Sequence, residues 1–169
     1  MTVPPYPTNP AEQPRAAGPA PKEVETAFRL LMANVVIGII GSILSFATIP
    51  SLVDERIRTS DLPNVEAAVR TGIIIGVVIG LVILALYIFF AFQMRGGKNW
   101  ARITLTVLGA LSVVFTLIGI GTYSSLIATG LFGVLSVVIS LIQLGLVIAA
   151  IYFMFRPAAN AYFTTPLYR

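Results

Sequence analysis

Residues 103–155, ITLTVLGALSVVFTLIGIGTYSSLIATGLFGVLSVVISLIQLGLVIAAIYFMF, contain 53 positions without one Asp, Glu, Lys, Arg or His. As a single helix the run would be about 80 Å long, whereas the hydrocarbon of a bilayer is roughly 30 Å thick. It must therefore fold back on itself inside a membrane. Hydrophobicity dips where Gly and hydroxyl residues gather, at Gly119-Ile120-Gly121-Thr122-Tyr123-Ser124-Ser125. That dip predicts a tight turn near 121–126 and two spans, about 103–121 and 127–155.

Two more charge-free runs lie upstream. Each has 24 residues, 30–53 between Arg29 and Asp54 and 71–94 between Arg70 and Arg95, and each fits one span with room to tilt. The fold class is thus all-α, a polytopic four-helix membrane bundle over residues 27–156 with spans at about 30–50, 71–94, 103–121 and 127–155. Residues 157–169 read as a short C-terminal tail. Seven of the eleven prolines fall within residues 4–21, and no basic start leads directly into an apolar run, so residues 1–26 read as a disordered proline-rich tail rather than a signal peptide. All 18 charged residues sit in the 68 positions outside the three runs.

Basic residues flanking spans stay on the cytoplasmic side. With the N-terminus inside, the inner segments hold eight (Arg15, Lys22, Arg29, Arg95, Lys98, Arg102, Arg156 and Arg169), and the outer ones hold Arg56, Arg58 and Arg70. Both termini are therefore expected in the cytoplasm, with the chain in the plasma membrane. Trp100 in the inner loop, Tyr123 in the outer turn and Tyr162 after the last span stand where amphipathic rings anchor at headgroup level.

Spans two and four end alike. Residues 80–90, GLVILALYIFF, match 145–155, GLVIAAIYFMF, at seven of eleven positions, and each is followed by an Arg and then an Asn (Arg95 and Asn99, Arg156 and Asn160). The match suggests a parallel two-plus-two hairpin repeat. Apolar segments drawn from few residue types also match by chance, and spans one and three share little.

Membrane helices associate through small residues and interhelical hydrogen bonds. Span two carries Gly72, Gly76 and Gly80, a doubled G-x-x-x-G. Span one carries Asn34, Gly38, Gly41, Ser45 and Thr48 on one side, span four carries Gly133, Ser136, Ser140 and Gln143, and span three has Thr106, Gly109 and Thr116. In one reading these stripes face each other within the monomer and satisfy Asn34 and Gln143. In another the glycine face of span two is left over for a second copy or a partner's helix. In a third Asn34, Ser45, Ser140 and Gln143 line a polar path.

Reactive chemistry is scarce. There is no Cys and no His, which removes thiolate and imidazole metal sites, haem ligation by these residues, Cys nucleophiles and the Ser-His-Asp triad. None of the spans carries the acidic or basic group on which ion-coupled carriers depend. The outer loop has Asp54, Glu55, Asp61 and Glu66 but neither D-x-D spacing nor a Gly for a calcium turn. It reads as a solvated loop pairing with Arg56 and Arg58, and span two is expected to start near Pro63. No catalytic residue, metal or cofactor is expected. Arg95, Lys98, Trp100 and Arg102 in the inner loop, with Arg156, serve as topogenic charges and as contacts for anionic headgroups. Gly96-Gly97 lacks the context of a phosphate loop. The P-x-x-P spacings of Pro4, Pro7 and Pro10 fit either an unspecific tail or a docking peptide.

Gly97-Lys98-Asn99-Trp100-Ala101-Arg102 and Arg156-Pro157-Ala158-Ala159-Asn160-Ala161-Tyr162-Phe163 resemble a family of uncharacterised small actinobacterial membrane proteins. These have a proline-rich N-terminal tail, four spans, a G-x-N-W-A-R inner loop and an R-P-A-S-x-A-Y-F end. Ala159 stands where that pattern has Ser. The resemblance implies a bacterial plasma membrane and no reaction. The expected function is that of a non-enzymatic accessory or scaffold subunit, bound to a membrane-protein partner or to copies of itself and to no nucleic acid. An oligomeric channel or facilitator for a small solute is the alternative. The orientation predicts that a C-terminal green fluorescent fusion fluoresces while a C-terminal alkaline phosphatase fusion is inactive. The opposite pair of results reverses the topology.

Overall fold

The computed structural model describes residues 19–59, 65–128 and 130–164, with the side chains of 45–59, 65, 122, 125, 126 and 128 outside that description. The described chain is helical almost throughout. The elements are α1 (Lys22–Thr59), α2 (Val65–Arg95), α3 (Asn99–Ile118), a 3₁₀ turn (Gly119–Thr122), α4 (Tyr123–Ala128), α5 (Leu131–Met154) and α6 (Pro157–Thr164). Four of them are long and apolar enough to cross a membrane, over Lys22–Leu44, Glu66–Arg95, Asn99–Gly121 and Leu131–Met154. In hydrocarbon a backbone has no water to bond, and a helix meets its own N–H and C=O groups internally.

Several boundaries differ from the sequence expectation. α1 starts at Lys22, inside the segment 1–26 read as a disordered tail, and runs on to Thr59, into the loop read as 51–70. Its 38 residues correspond to about 57 Å, so a helix that crosses the bilayer continues beyond it. Charge marks where a helix leaves hydrocarbon and does not end it. Glu23 and Glu25 in the first turn favour the positive end of the helix dipole, and Glu25 N–H donates to the Pro21 carbonyl at 3.0 Å. α2 begins at Val65, two residues after Pro63, which lies outside the described residues. The tail 157–169 contains α6.

The turn expected at 121–126 is helical instead, and α5 starts after Gly130, whose φ is 90° and ψ −151°. Gly and Ser clusters lower hydrophobicity without obliging a helix to stop. A backbone in this region is open essentially to glycine alone, and Gly130 is the residue that supplies it. The inner loop is a Schellman close. Gly97 has φ 82°, its N–H donates to the Met94 carbonyl at 2.9 Å, and Lys98 N–H donates to the Gln93 carbonyl at 3.1 Å, which satisfies the end of α2. α5 ends ahead of Arg156-Pro157, because proline lacks the N–H needed to continue and restricts the residue before it.

Each long helix has two long neighbours. α1 packs on α5 and α2, and α3 on α2 and α5. Neighbours are antiparallel: Phe28 meets Phe92 three residues from the Glu25–Arg95 pair, in opposite directions along α1 and α2, and α1 runs oppositely along α5, with Gly38 at Gln143 and Gly41 at Ile139. The buried cluster lies at one end. Val24, Ala27, Phe28 and Leu31 of α1 meet Ala91 and Met94 of α2, Ala101 and Leu105 of α3, Ala150 and Met154 of α5, and Ala159 and Phe163 of α6. This is the end that carries the α2–α3 turn, called the basic end below. Ala91 and Met94 are the buried residues of α2 among those described, so its other half stands away from the bundle.

The two segments matched in sequence sit in different surroundings. Val82 is 54% exposed and its counterpart Val147 7%, and Phe89 is 48% exposed where Met154 is 1%. At these two positions the match in sequence does not extend to a shared packing role, whereas Ile83 and Ile148 are exposed alike. Gly97→Ala and Gly130→Ala are each expected to lower stability by about 1 kcal/mol, the cost of placing Cβ on a backbone that favours glycine. Reversible SDS unfolding of the purified protein measures this, with Gly121→Ala as the unaffected control.

Candidate intramembrane groove and partner face

The small and polar stripes of α1 and α5 pack against each other. A Cβ on Gly38 would lie 3.1 Å from Gln143 Nε2, and one on Gly41 would lie 3.3 Å from Ile139 Cγ2, so these glycines admit the side chains of α5. Gly109 does the same between α3 and α5, where a Cβ would meet Val147 Cγ1 at 3.0 Å and Ile151 Cδ1 at 3.1 Å. Close approach at small residues is what holds helices together in lipid, where apolar burial alone gains little.

The hydroxyls mostly turn inward on their own helices. Ser42 donates to the Gly38 carbonyl at 2.9 Å, Ser136 to Phe132 at 2.9 Å and Ser140 to Ser136 at 2.9 Å. Such back-bonding meets a hydroxyl where no water is at hand. The expected satisfaction of the amides is incomplete, since Asn34 Oδ1 is buried with no hydrogen-bond partner among the described residues.

The α2 glycines behave differently. A Cβ added to Gly72, Gly76 or Gly80 would meet nothing within 4 Å, so the doubled G-x-x-x-G packs on no described part of its own chain. Because the basic end pins α2 at Ala91 and Met94, its far half diverges and leaves a groove between α1, α2 and α5. The groove encloses about 890 Å³ and is lined by Asn34, Gly38, Gly76, Gly80, Tyr87, Ser140 and Gln143 among others. Three of the four residues expected on a polar path, Asn34, Ser140 and Gln143, thus share one concavity with two of the three residues of the partner face. The side chain of Ser45 lies outside the described residues. Tyr87 was not singled out from the sequence. The antiparallel packing of α1 on α2, Phe28 against Phe92, brings it level with Asn34 about one and a half turns further on, and that pairing is not written in the spacing of α2 alone.

The remaining predicted residues gather at the basic end. Arg95 Nε donates to Glu25 Oε2 at 2.9 Å and its Cζ lies 4.8 Å from the Phe28 ring centre, so it fastens α2 to α1. Trp100 is half exposed and packs on Phe89 and Phe90, with ring centres 6.5 and 5.8 Å away. Arg156 covers the Tyr152 ring at 4.9 Å. Arg102 is buried against the Phe155 and Phe163 rings, its Cζ 4.3 and 4.8 Å from their centres. Tyr162 donates its hydroxyl to the Arg95 carbonyl at 3.1 Å, tying α6 across the end of α2. The P-x-x-P tail and the acids Asp54, Glu55 and Asp61 lie outside the residues whose side chains are described.

No family model, curated protein or solved structure matches this chain. The geometry separates two classes of glycine, occupied and open. Gly109→Leu is therefore expected to destabilise the purified protein by about 1–3 kcal/mol through overpacking, whereas Gly76→Leu leaves the monomer's SDS unfolding midpoint unchanged. Equal losses from both substitutions would remove the distinction.

Proposed function

We propose that this protein is a non-enzymatic accessory or scaffold subunit of the plasma membrane, with both termini in the cytoplasm, that holds the transmembrane helix of a partner protein or of a second copy along α2. The observation that carries this reading is the open face at Gly72, Gly76 and Gly80 beside occupied glycines on the neighbouring helices. A glycine interior to a membrane helix lets another backbone come close, and on α2 no described part of the chain makes that approach. The groove next to it adds Gln143, an amide able to bond an incoming helix in a medium where unpaired polar groups are costly. Hydroxyls that back-bond to their own helices offer little to a permeating solute, which favours helix docking over a solute path.

Mild solubilisation from native membranes followed by native gels tests the reading. The wild-type protein is expected in a species larger than the monomer, and the double substitution Gly76→Leu with Gly80→Leu is expected to shift it to the monomer. Ile118→Ala, on a residue that is 73% exposed, should leave the larger species intact. A wild-type protein that runs as a monomer and crosslinks to nothing overturns the assignment.

A further inference from the structure

Cations outnumber carboxylates at the basic end, and one acid holds two of them. Glu25 takes the Arg95 bond at 2.9 Å and faces Arg29 Nε at 3.4 Å. Among the described residues no carboxylate comes within 4 Å of Lys98, Arg102 or Arg156. Arg102 stands apart from the other two because it is only 9% exposed. Its Cζ lies 4.3 Å from the ring centre of Phe155, at the end of α5, and 4.8 Å from that of Phe163, on α6. Its Nε is buried and has no acceptor among the described residues.

A guanidinium taken from water without a counter-anion is costly, and two aromatic faces offset only part of that cost. The same two rings hold it at the junction of α5 and α6. The rings supply no hydrogen-bond acceptor, so its N–H groups, the unpaired Nε among them, still need one, and their fork matches two oxygens of a phosphate. Lys98 caps the start of α3, one turn from Arg102, whose N–H donates to the Lys98 carbonyl at 3.4 Å, and adds a second positive charge. Trp100 between them packs on the end of α2 as interfacial rings do, which sets this level at the headgroups rather than in bulk water.

We propose that Arg102, framed by Phe155 and Phe163 and assisted by Lys98, binds the phosphate of an anionic lipid in the leaflet that the basic end occupies. The site is separate from the α2 glycine face, so either can fail without the other. It replaces a diffuse attraction of the inner loop by one oriented donor, so anionic lipid should be held selectively rather than in proportion to loop charge.

The test uses the full chain in detergent, with phosphatidylglycerol, phosphatidylcholine and inorganic phosphate as probes, read by native mass spectrometry and thermal stability. Phosphatidylglycerol is expected to be retained and to stabilise the wild type, with phosphatidylcholine and phosphate doing neither. Arg102→Lys keeps the charge but loses the fork, and Lys98→Gln removes only the helper. Each is expected to weaken phosphatidylglycerol about tenfold, equivalent to ~1.4 kcal/mol, while Arg70→Gln, at a residue already paired to Glu66 at 2.7 Å, has no effect. Helicity by circular dichroism is read for every variant, and Phe163→Leu, which removes one of the two rings against Arg102, gives the same loss if Arg102→Lys fails to fold. Undiminished selectivity in the folded variants overturns the proposal, and so does phosphate alone reproducing the stabilisation.

Discussion

Five alanines, Ala27, Ala91, Ala101, Ala150 and Ala159, have no exposed surface at all and come from five different helices. Their lack of bulk sets how closely α1, α2, α3, α5 and α6 approach at the basic end, and the rest of the bundle takes its directions from that point. Met94 and Met154 fill what the alanines leave, long side chains that adapt to irregular gaps. The contacts that fasten this end sit around the same cluster: Arg95 to Glu25, Tyr162 to the Arg95 carbonyl, and Phe28 edge-on to Phe92.

Away from that end the helices do not all remain together. α1 and α5 stay in register because Gly38 and Gly41 leave room for Gln143 and Ile139, and α3 stays on α5 through Gly109. α2 has glycines too, but no described part of the chain fits against them, and it diverges. The groove is thus a result of unequal packing along one helix, and its polar lining comes from stripes that elsewhere bring helices together. One pattern of small residues serves two ends, internal where it is occupied and external where it is not.

The spans were legible because charge is excluded from hydrocarbon, and Arg70, Arg95 and Arg156 marked limits within a few residues, while the first span starts at Lys22, seven residues before Arg29. The same signal misplaced the helix ends, since α1 and α6 run on through charged or polar positions where water tolerates a helix as well as a loop. The reversal before α5 was misread because Gly119 and Gly121 look like breakers in composition, whereas the decisive property, a positive φ, belongs to Gly130. The groove was half legible. Its residues could be named from spacing, but whether a glycine stripe is covered depends on the divergence of α2, and no local pattern encodes that. Arg102 was visible as a cation, yet its enclosure depends on Phe155 and Phe163, more than fifty residues later.

α6 enters the buried cluster through Ala159 and Phe163 and reaches α1 as well as α5. In order of synthesis, α1 thus keeps part of its core-facing surface uncovered until α6, three spans later, arrives. Val24 and Ala27 wait through the production of three further spans before their enclosure is complete. The seal at the basic end is for that reason complete only after translation has passed Phe163. A nascent chain halted short of that point presents an open apolar seam near the membrane surface, the kind of feature that a quality-control protease or chaperone reads as unfinished.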